Sequence, residues 1–222
     1  RVQRLLGVVR GREKRWEGKS TEEIFTTFYD EHLWRCDESV SGKGSTVDGT
    51  EALRDALPGL FEELGARSIL DAPCGDMNWI QAVDWDLDSY IGGDIVATLI
   101  DRLSCEHSDG KTSFVQLDIT RDPLPAADVF FCRDCFIHLT NDQVLDALRN
   151  AARSECRYLM TNTFPSIGVN ERSHTGGLRR LDLRKPPFNL GAPIQLIEDR
   201  VDRPGFKYMG VWSRDQLQRL LV

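Results

Sequence analysis

The run Ser68-Ile69-Leu70-Asp71 ends in an acid, and a tight turn with one glycine, Ala72-Pro73-Cys74-Gly75-Asp76, follows it. A second run, Tyr90-Ile91-Gly92-Gly93-Asp94, also ends in an acid, 19 residues beyond Gly75. Two such runs at this spacing read as the first two strands of a nucleotide-binding α/β sheet. The middle of the chain keeps the alternation. Strand-like runs at 67–71, 89–94, 113–118, 127–132 and 156–163 enclose helix-like runs at about 77–83, 96–107 and 141–153. That order predicts a parallel sheet covered on both faces.

The turn discriminates among nucleotides. A dinucleotide site needs glycine where pyrophosphate meets the backbone, and a helix start free of negative charge. Here Asp76 follows Gly75 directly. Its carboxylate opposes a pyrophosphate but not a ligand that presents ribose, sulfonium and amino-acid groups. The turn therefore favours S-adenosylmethionine over NAD or ATP. An ordinary strand-turn-helix around a buried Cys74 is the plain alternative.

Composition removes other classes. The 222 residues carry a net charge of −7, with 41% apolar and 28% charged residues. That balance suits a globular protein and argues against a nucleic-acid partner held through phosphates. No apolar run is long enough to span a membrane. The six cysteines make one C-x-x-C, Cys132 and Cys135, and no second pair, so neither a metal nor a disulfide framework is expected. A reducing cytoplasm fits them.

The chain divides into an N-terminal helical arm and cofactor-covering segment, 1–64, and a binding domain, 65–222, with a substrate loop at 165–193. Residues 1–19 carry seven Lys or Arg against two Glu and read as a basic arm. Ser20 caps a helix with acids in its first turn. A second helix spans about 49–64, with Pro58 a point where it can split. Near the end, 193–198 and 207–212 read as an antiparallel pair joined by Asp202-Arg203-Pro204-Gly205, and Ser213 caps a last helix, 214–221.

Asp94, with Ile95 beside it, is placed to accept the two ribose hydroxyls of an adenosine. Asp118 ends the third strand and can accept from the adenine amino group while Ile119 covers the ring; a helix-capping Asp is the equal alternative. The run 128–139 carries the most chemistry, because it delivers Arg133 and Asp134 to the carboxyl edge of the sheet and His138 just beyond. Histidine is suited to take a proton from a hydroxyl near neutral pH. His138 is the first candidate base and Asp134 the second; a packing histidine and an Arg133–Asp134 ion pair are the alternatives. Ser41, Gly42, Gly44, Ser45 and the Arg54 fork can donate to a carboxylate. Asn162, Asn170, His174, Arg179 and Arg180 offer polar contacts to a hydroxyl-rich substrate.

Taken in order, Leu70-Asp-Ala-Pro-Cys-Gly, Asp94 and Asp118-Ile119 resemble the class I S-adenosylmethionine-dependent methyltransferases over roughly residues 64–164. Trp34 through Ser41-Gly-Lys-Gly-Ser45, Arg133-Asp-Cys135 with His138-Leu139, and Pro186-Pro-Phe188 resemble a little-characterised bacterial branch that often accompanies glycan-assembly enzymes. The resemblance implies a Rossmann-like α/β fold, with a seven-stranded, mostly parallel sheet, helices on both faces and an antiparallel terminal strand pair. It implies S-adenosylmethionine, with S-adenosylhomocysteine as product, over Asp71, Ala72, Pro73, Cys74 and Gly75, with Trp34 and Arg133 in the same set. Asp76 replaces the family's second glycine and stands near the ligand's ammonium. The expected reaction is methyl transfer to a hydroxyl of a sugar, glycan or similar polar metabolite, without a metal. N- or carboxyl-methylation, and a non-catalytic partner subunit, are the alternatives, and a homodimer is left open.

Overall fold

Strand residues alternate between two apolar cores. Val129 and Phe131 enter one buried cluster, whereas Phe130 and Cys132 enter the other. Ile69 and Leu70 split the same way, as do Met160 and Leu159. A strand buried on both faces must lie inside a sheet with layers on either side. Each fully buried phenylalanine contributes about 1.5–3 kcal/mol relative to an exposed one.

The computed structural model describes residues 15–199 and 205–221. Its sheet contains β1 (Ser68–Asp71), β2 (Ser89–Asp94), β3 (Thr112–Gln116), β4 (Val129–Cys132), β5 (Tyr158–Thr163), β6 (Gln195–Glu198) and β7 (Tyr208–Ser213). The spatial order is β3-β2-β1-β4-β5-β7-β6. β7 runs antiparallel to both β5 and β6, so the other six strands share one direction. The Rossmann-like seven-stranded arrangement expected from the sequence is the one observed.

One face is covered by α2 (Glu51–Leu64) and α3 (Ala97–His107), through Leu53, Leu57, Phe61, Leu99 and Leu103. The other is covered by α4 (Asn141–Arg153), through Val144, Ala147, Leu148 and Ala151. α1 (Thr21–Asp30) and α5 (Arg214–Gln218) are short. Ser20, Thr140 and Ser213 each close a capping box at the start of α1, α4 and α5. These boxes fix where the helices begin, each cap contributing about 1 kcal/mol.

Three local expectations are corrected. α2 runs unbroken through Pro58, which lies inside the helix. Packing of Leu53, Leu57 and Phe61 holds the turns on either side. Residues 77–83 do not form a helix; only the short 3-10 turn Ile80–Ala82 is present. Met77 has φ of 60°, outside the helical region. Trp79 packs on Phe131 at 6.0 Å between ring centres, so tertiary contact decides this segment. The last helix also ends early, at Gln218, with a 3-10 turn over Arg219–Leu221. The basic arm, apart from residues 15–19, and Asp202-Arg203-Pro204 of the terminal turn lie outside the described residues.

Among the described residues, no helix is long and apolar enough to cross a membrane. All six cysteines are free.

Candidate active site

β1 has β2 on one side and β4 on the other, so the chain reverses its direction of travel across the sheet there. Crevices at such switch points hold ligands in open α/β sheets. A cavity of about 1090 Å³ opens at this place, lined by residues at the carboxyl ends of β1 through β4. Asp71, Pro73, Cys74, Gly75, Asp94, Ile95, Asp118 and Ile119 line it from the sheet side. Trp34, Ser41, Gly42, Gly44 and Ser45 line it from the N-terminal segment.

Gly75 has φ of 55°, and a Cβ there would meet Ser41 Oγ at 2.3 Å. The glycine thus lets the 39–45 segment sit directly on the β1 turn. Asp76 locks that arrangement. Its carboxylate accepts from Ser39 Oγ at 2.9 Å and from the Val40 N–H at 2.8 Å. Asp76 is therefore an anchor for the covering segment, not a lining residue beside a ligand ammonium.

Asp71 is buried, and the Tyr90 hydroxyl donates to it at 2.6 Å. Burial pushes its pKa up to about 7, with Asp94 adding to the rise and Tyr90 opposing it. Asp94 accepts from the Gly75 and Val96 N–H groups at 3.3 and 3.1 Å. Burial raises its pKa to about 6 against those hydrogen bonds. Asp118 accepts from the Thr120 N–H and hydroxyl at 3.0 and 2.6 Å and pairs with Arg121 at 3.2 Å. Three carboxylates thus stand at the ends of three neighbouring strands around one cavity.

A charge network forms the next part of the wall. Arg133 donates to both oxygens of Asp199, at 2.9–3.1 Å. Lys207 bridges Asp199 at 2.7 Å and Asp134 at 2.8 Å. Asn162 donates to Asp199 at 2.8 Å and accepts from the Asp134 N–H. The Arg133 guanidinium also lies over the Trp79 ring, 5.2 Å from its centre. Two buried cations meet the buried Asp199 and the partly buried Asp134, so the cluster is neutral as a whole. Burial alone would raise the Asp134 pKa, but Lys207 and Arg133 outweigh it and hold the carboxyl well below the usual range. The adjacent Arg133 and Asp134 do approach each other, at 3.4 Å, yet each has a closer partner.

His138 Nδ1 lies 2.7 Å from the Gly177 carbonyl oxygen. A carbonyl only accepts, so Nδ1 carries the proton and Nε2 of the neutral ring is an acceptor. Burial lowers the His138 pKa, partly offset by Gly177 and Asp134, so the ring is neutral at physiological pH. His138 and Asp134 line the same cavity. That pairs a neutral imidazole with an ionised carboxylate at one sheet edge.

Other expected residues fall elsewhere. Arg54 reaches the Val47 carbonyl at 3.2 Å and does not line the cavity. Ala72 is wholly buried in the core beneath the turn. Asn162 belongs to the charge network, and Asn170 holds the loop by donating to the Asp182 and Pro186 carbonyls at 3.0 and 2.8 Å. His174 is not a lining residue. Arg179 does line the cavity, but its two terminal guanidinium nitrogens are spent on Asn141 and on the Glu171 and Leu139 carbonyls. Arg180 lines the cavity and stacks over Phe206 at 4.3 Å. Asp199 and Lys207, which complete the charge network, were not among the expected residues. Their signal in the sequence is weak: a charge at each end of the apolar terminal strand pair.

No family model and no curated protein sequence matches the chain. Solved structures do resemble it. Magnesium protoporphyrin IX methyltransferase from Synechocystis PCC 6803, with bound S-adenosylmethionine, aligns with a TM-score of 0.58 at 14% identity, over 88% of this chain and 96% of that one. Phosphoethanolamine N-methyltransferase 1 from Haemonchus contortus, with phosphoethanolamine and S-adenosylhomocysteine, gives 0.57 at 15%, over 90% and 52%. The methyltransferase domain of bacterial CtHen1 gives 0.53 at 13%, over 73% and 98%. The fold is that of the class I S-adenosylmethionine-dependent methyltransferases.

Proposed function

We propose that this protein transfers a methyl group from S-adenosylmethionine to a hydroxyl of a sugar, glycan or similar polar metabolite. The observation that carries the reading is His138, a neutral imidazole with its proton committed to Gly177 and its other nitrogen an acceptor, on the cavity that also holds Asp94 and Asp118.

The donor set fits the cofactor. Asp94 would accept from the ribose hydroxyls and Asp118 from the adenine amino group, with Ile119 against the ring, and the backbone around Gly75 and the Ser41–Ser45 segment, with Trp34, would cover the amino-acid end. S-adenosylmethionine supplies a methyl group on an already activated sulfonium. The protein's task is then alignment and proton removal. His138 Nε2 takes the hydroxyl proton as the oxygen attacks, and Asp134 nearby stabilises the imidazolium that results. The methyl group would pass from sulfur to the acceptor oxygen, the proton to His138, and S-adenosylhomocysteine would be the other product.

A second reading, N-methylation, draws on the same Asp134, whose ionised carboxylate can accept from an amine. Methyl transfer from labelled S-adenosylmethionine, screened against simple glycosides and primary amines, tests both. Label on glycoside oxygens supports the first reading; label confined to amines or carboxylates overturns it. Absence of S-adenosylhomocysteine binding in calorimetry on folded protein overturns both.

A further inference from the structure

The outer half of the cavity differs in chemistry from the acidic half. It is formed by Phe164, Ile167, Val169, Leu178 and Phe206, with Arg180 the exposed cation among them. Val169 is 68% exposed and Leu178 76%, the largest values for big apolar side chains among the described residues. Both line the one cavity already described. Exposed apolar surface continuous with a polar site marks where a ligand sits.

This ridge is held in place. The Gly176 N–H donates to the His138 carbonyl at 2.8 Å, and the Arg179 N–H to the Ile137 carbonyl at 3.1 Å. His138 Nδ1 donates to Gly177. Leu178 thus stands between two residues tied directly to the segment that carries the base. Phe164 is fixed by its N–H on the Leu181 carbonyl at 2.8 Å. His138 and Leu178 line the same cavity, so an acceptor whose hydroxyl reaches His138 has room to lay its remaining atoms along the ridge.

The ridge suits an alkyl group better than a ring. Its exposed tips are aliphatic, and the Phe206 face is covered by the Arg180 guanidinium. We infer that the acceptor is amphipathic: a hydroxyl-bearing head at His138 joined to an alkyl chain that lies along Ile167, Val169 and Leu178. This rests on the methyltransferase reading above and narrows its acceptor class.

The test uses the protein loaded with S-adenosylhomocysteine, titrated with n-octyl β-D-glucoside below its micelle concentration and with methyl β-D-glucoside. Burying apolar side chains of this size against a chain tightens binding roughly tenfold or more. The octyl compound is expected to bind at least about tenfold tighter, and Val169→Ser with Leu178→Ser to remove that difference. Both side chains are exposed, so the variant keeps its core, and its affinity for S-adenosylhomocysteine is expected to match the wild type. An octyl compound that binds no tighter than the methyl one overturns the inference, as does a preference that survives the substitutions. A wild-type dimer that the substitutions dissociate assigns the ridge to self-association and also overturns it. Failure to bind S-adenosylhomocysteine at the outset instead overturns the methyltransferase reading itself.

Discussion

Lys207 donates to Asp134 at 2.8 Å across a sequence separation of 73 residues. The same ammonium contacts Asp199 at 2.7 Å, and both acids face Arg133. Removing one member of a buried neutral cluster leaves the rest uncompensated. Lys207→Met is expected to cost about 3–5 kcal/mol of unfolding free energy at pH 7. Lys207→Arg is expected to restore most of it. The folded Asp134 pKa is depressed, so its contribution is present above the unfolded value and lost as pH falls through the folded one. Urea unfolding from pH 7 down to pH 3 checks the sign: the wild type loses stability as pH falls below the unfolded carboxyl pKa of about 3.9, and Lys207→Met, whose Asp134 is less depressed, loses less over the same range.

Methyl transfer to a hydroxyl is expected to rise with pH through a midpoint below the ordinary histidine pKa of about 6.5 and then level off, because burial lowers that of His138. His138→Ala is expected to lower kcat by about 10²–10⁴-fold while leaving S-adenosylhomocysteine affinity within about twofold. Turnover with labelled S-adenosylmethionine, paired with calorimetry, separates the two effects. An unchanged kcat means that no base is needed and favours an amine acceptor.

Cofactor affinity is expected to fall as pH drops below about 6, where Asp94 takes up a proton. Hydrogen bonds to a charged group contribute about 1.5–3 kcal/mol, so Asp94→Asn is expected to weaken S-adenosylmethionine roughly 10- to 150-fold. The same substitution removes a carboxyl whose folded pKa is raised. Such a group costs the fold stability as pH rises through about 6. Unliganded Asp94→Asn is therefore expected to melt at a higher temperature than the wild type at pH 8, a gain that shrinks toward pH 5. Differential scanning calorimetry at both values decides it.

Gly75→Ala places a Cβ 2.3 Å from Ser41 Oγ in a left-handed backbone. The clash is expected to cost about 1–3 kcal/mol and the backbone about 1–2 more. Adding Ser41→Gly to Gly75→Ala is expected to recover the first part only. A double-mutant cycle on unfolding free energy measures the coupling; additive effects would mean that the two residues do not touch.

Residues whose role is set by local chain geometry were legible in the sequence. Asp71, Asp94 and Asp118 follow apolar runs, and strand ends at a switch point bring them together whatever the loops do. The caps Ser20 and Ser213 were legible for the same reason. Long side chains were not. Arg54, expected to clamp a carboxylate, finds the nearby Val47 carbonyl instead, and Arg179, expected to meet substrate, is taken up by the Glu171 carbonyl and by Leu139 some 40 residues away. Asp199 meets Arg133 across 66 residues, a pairing that no window on the sequence contains. Residues 77–83 misled because their apolar spacing suits a helix, whereas Trp79 is drawn to Phe131 and Arg133.

The cavity takes its walls from nearly the full length of the described chain, from Thr21 to Lys207. Lys207 directly precedes β7, which lies between β5 and β6 toward one edge of the sheet. A chain still emerging from the ribosome thus has Asp71, Asp94 and His138 before it has the cation that balances Asp134. Any ligand held in this cavity therefore ties together segments that lie far apart in the sequence, and on the methyltransferase reading bound donor is expected to raise the unfolding free energy of the sheet as a whole rather than of one loop.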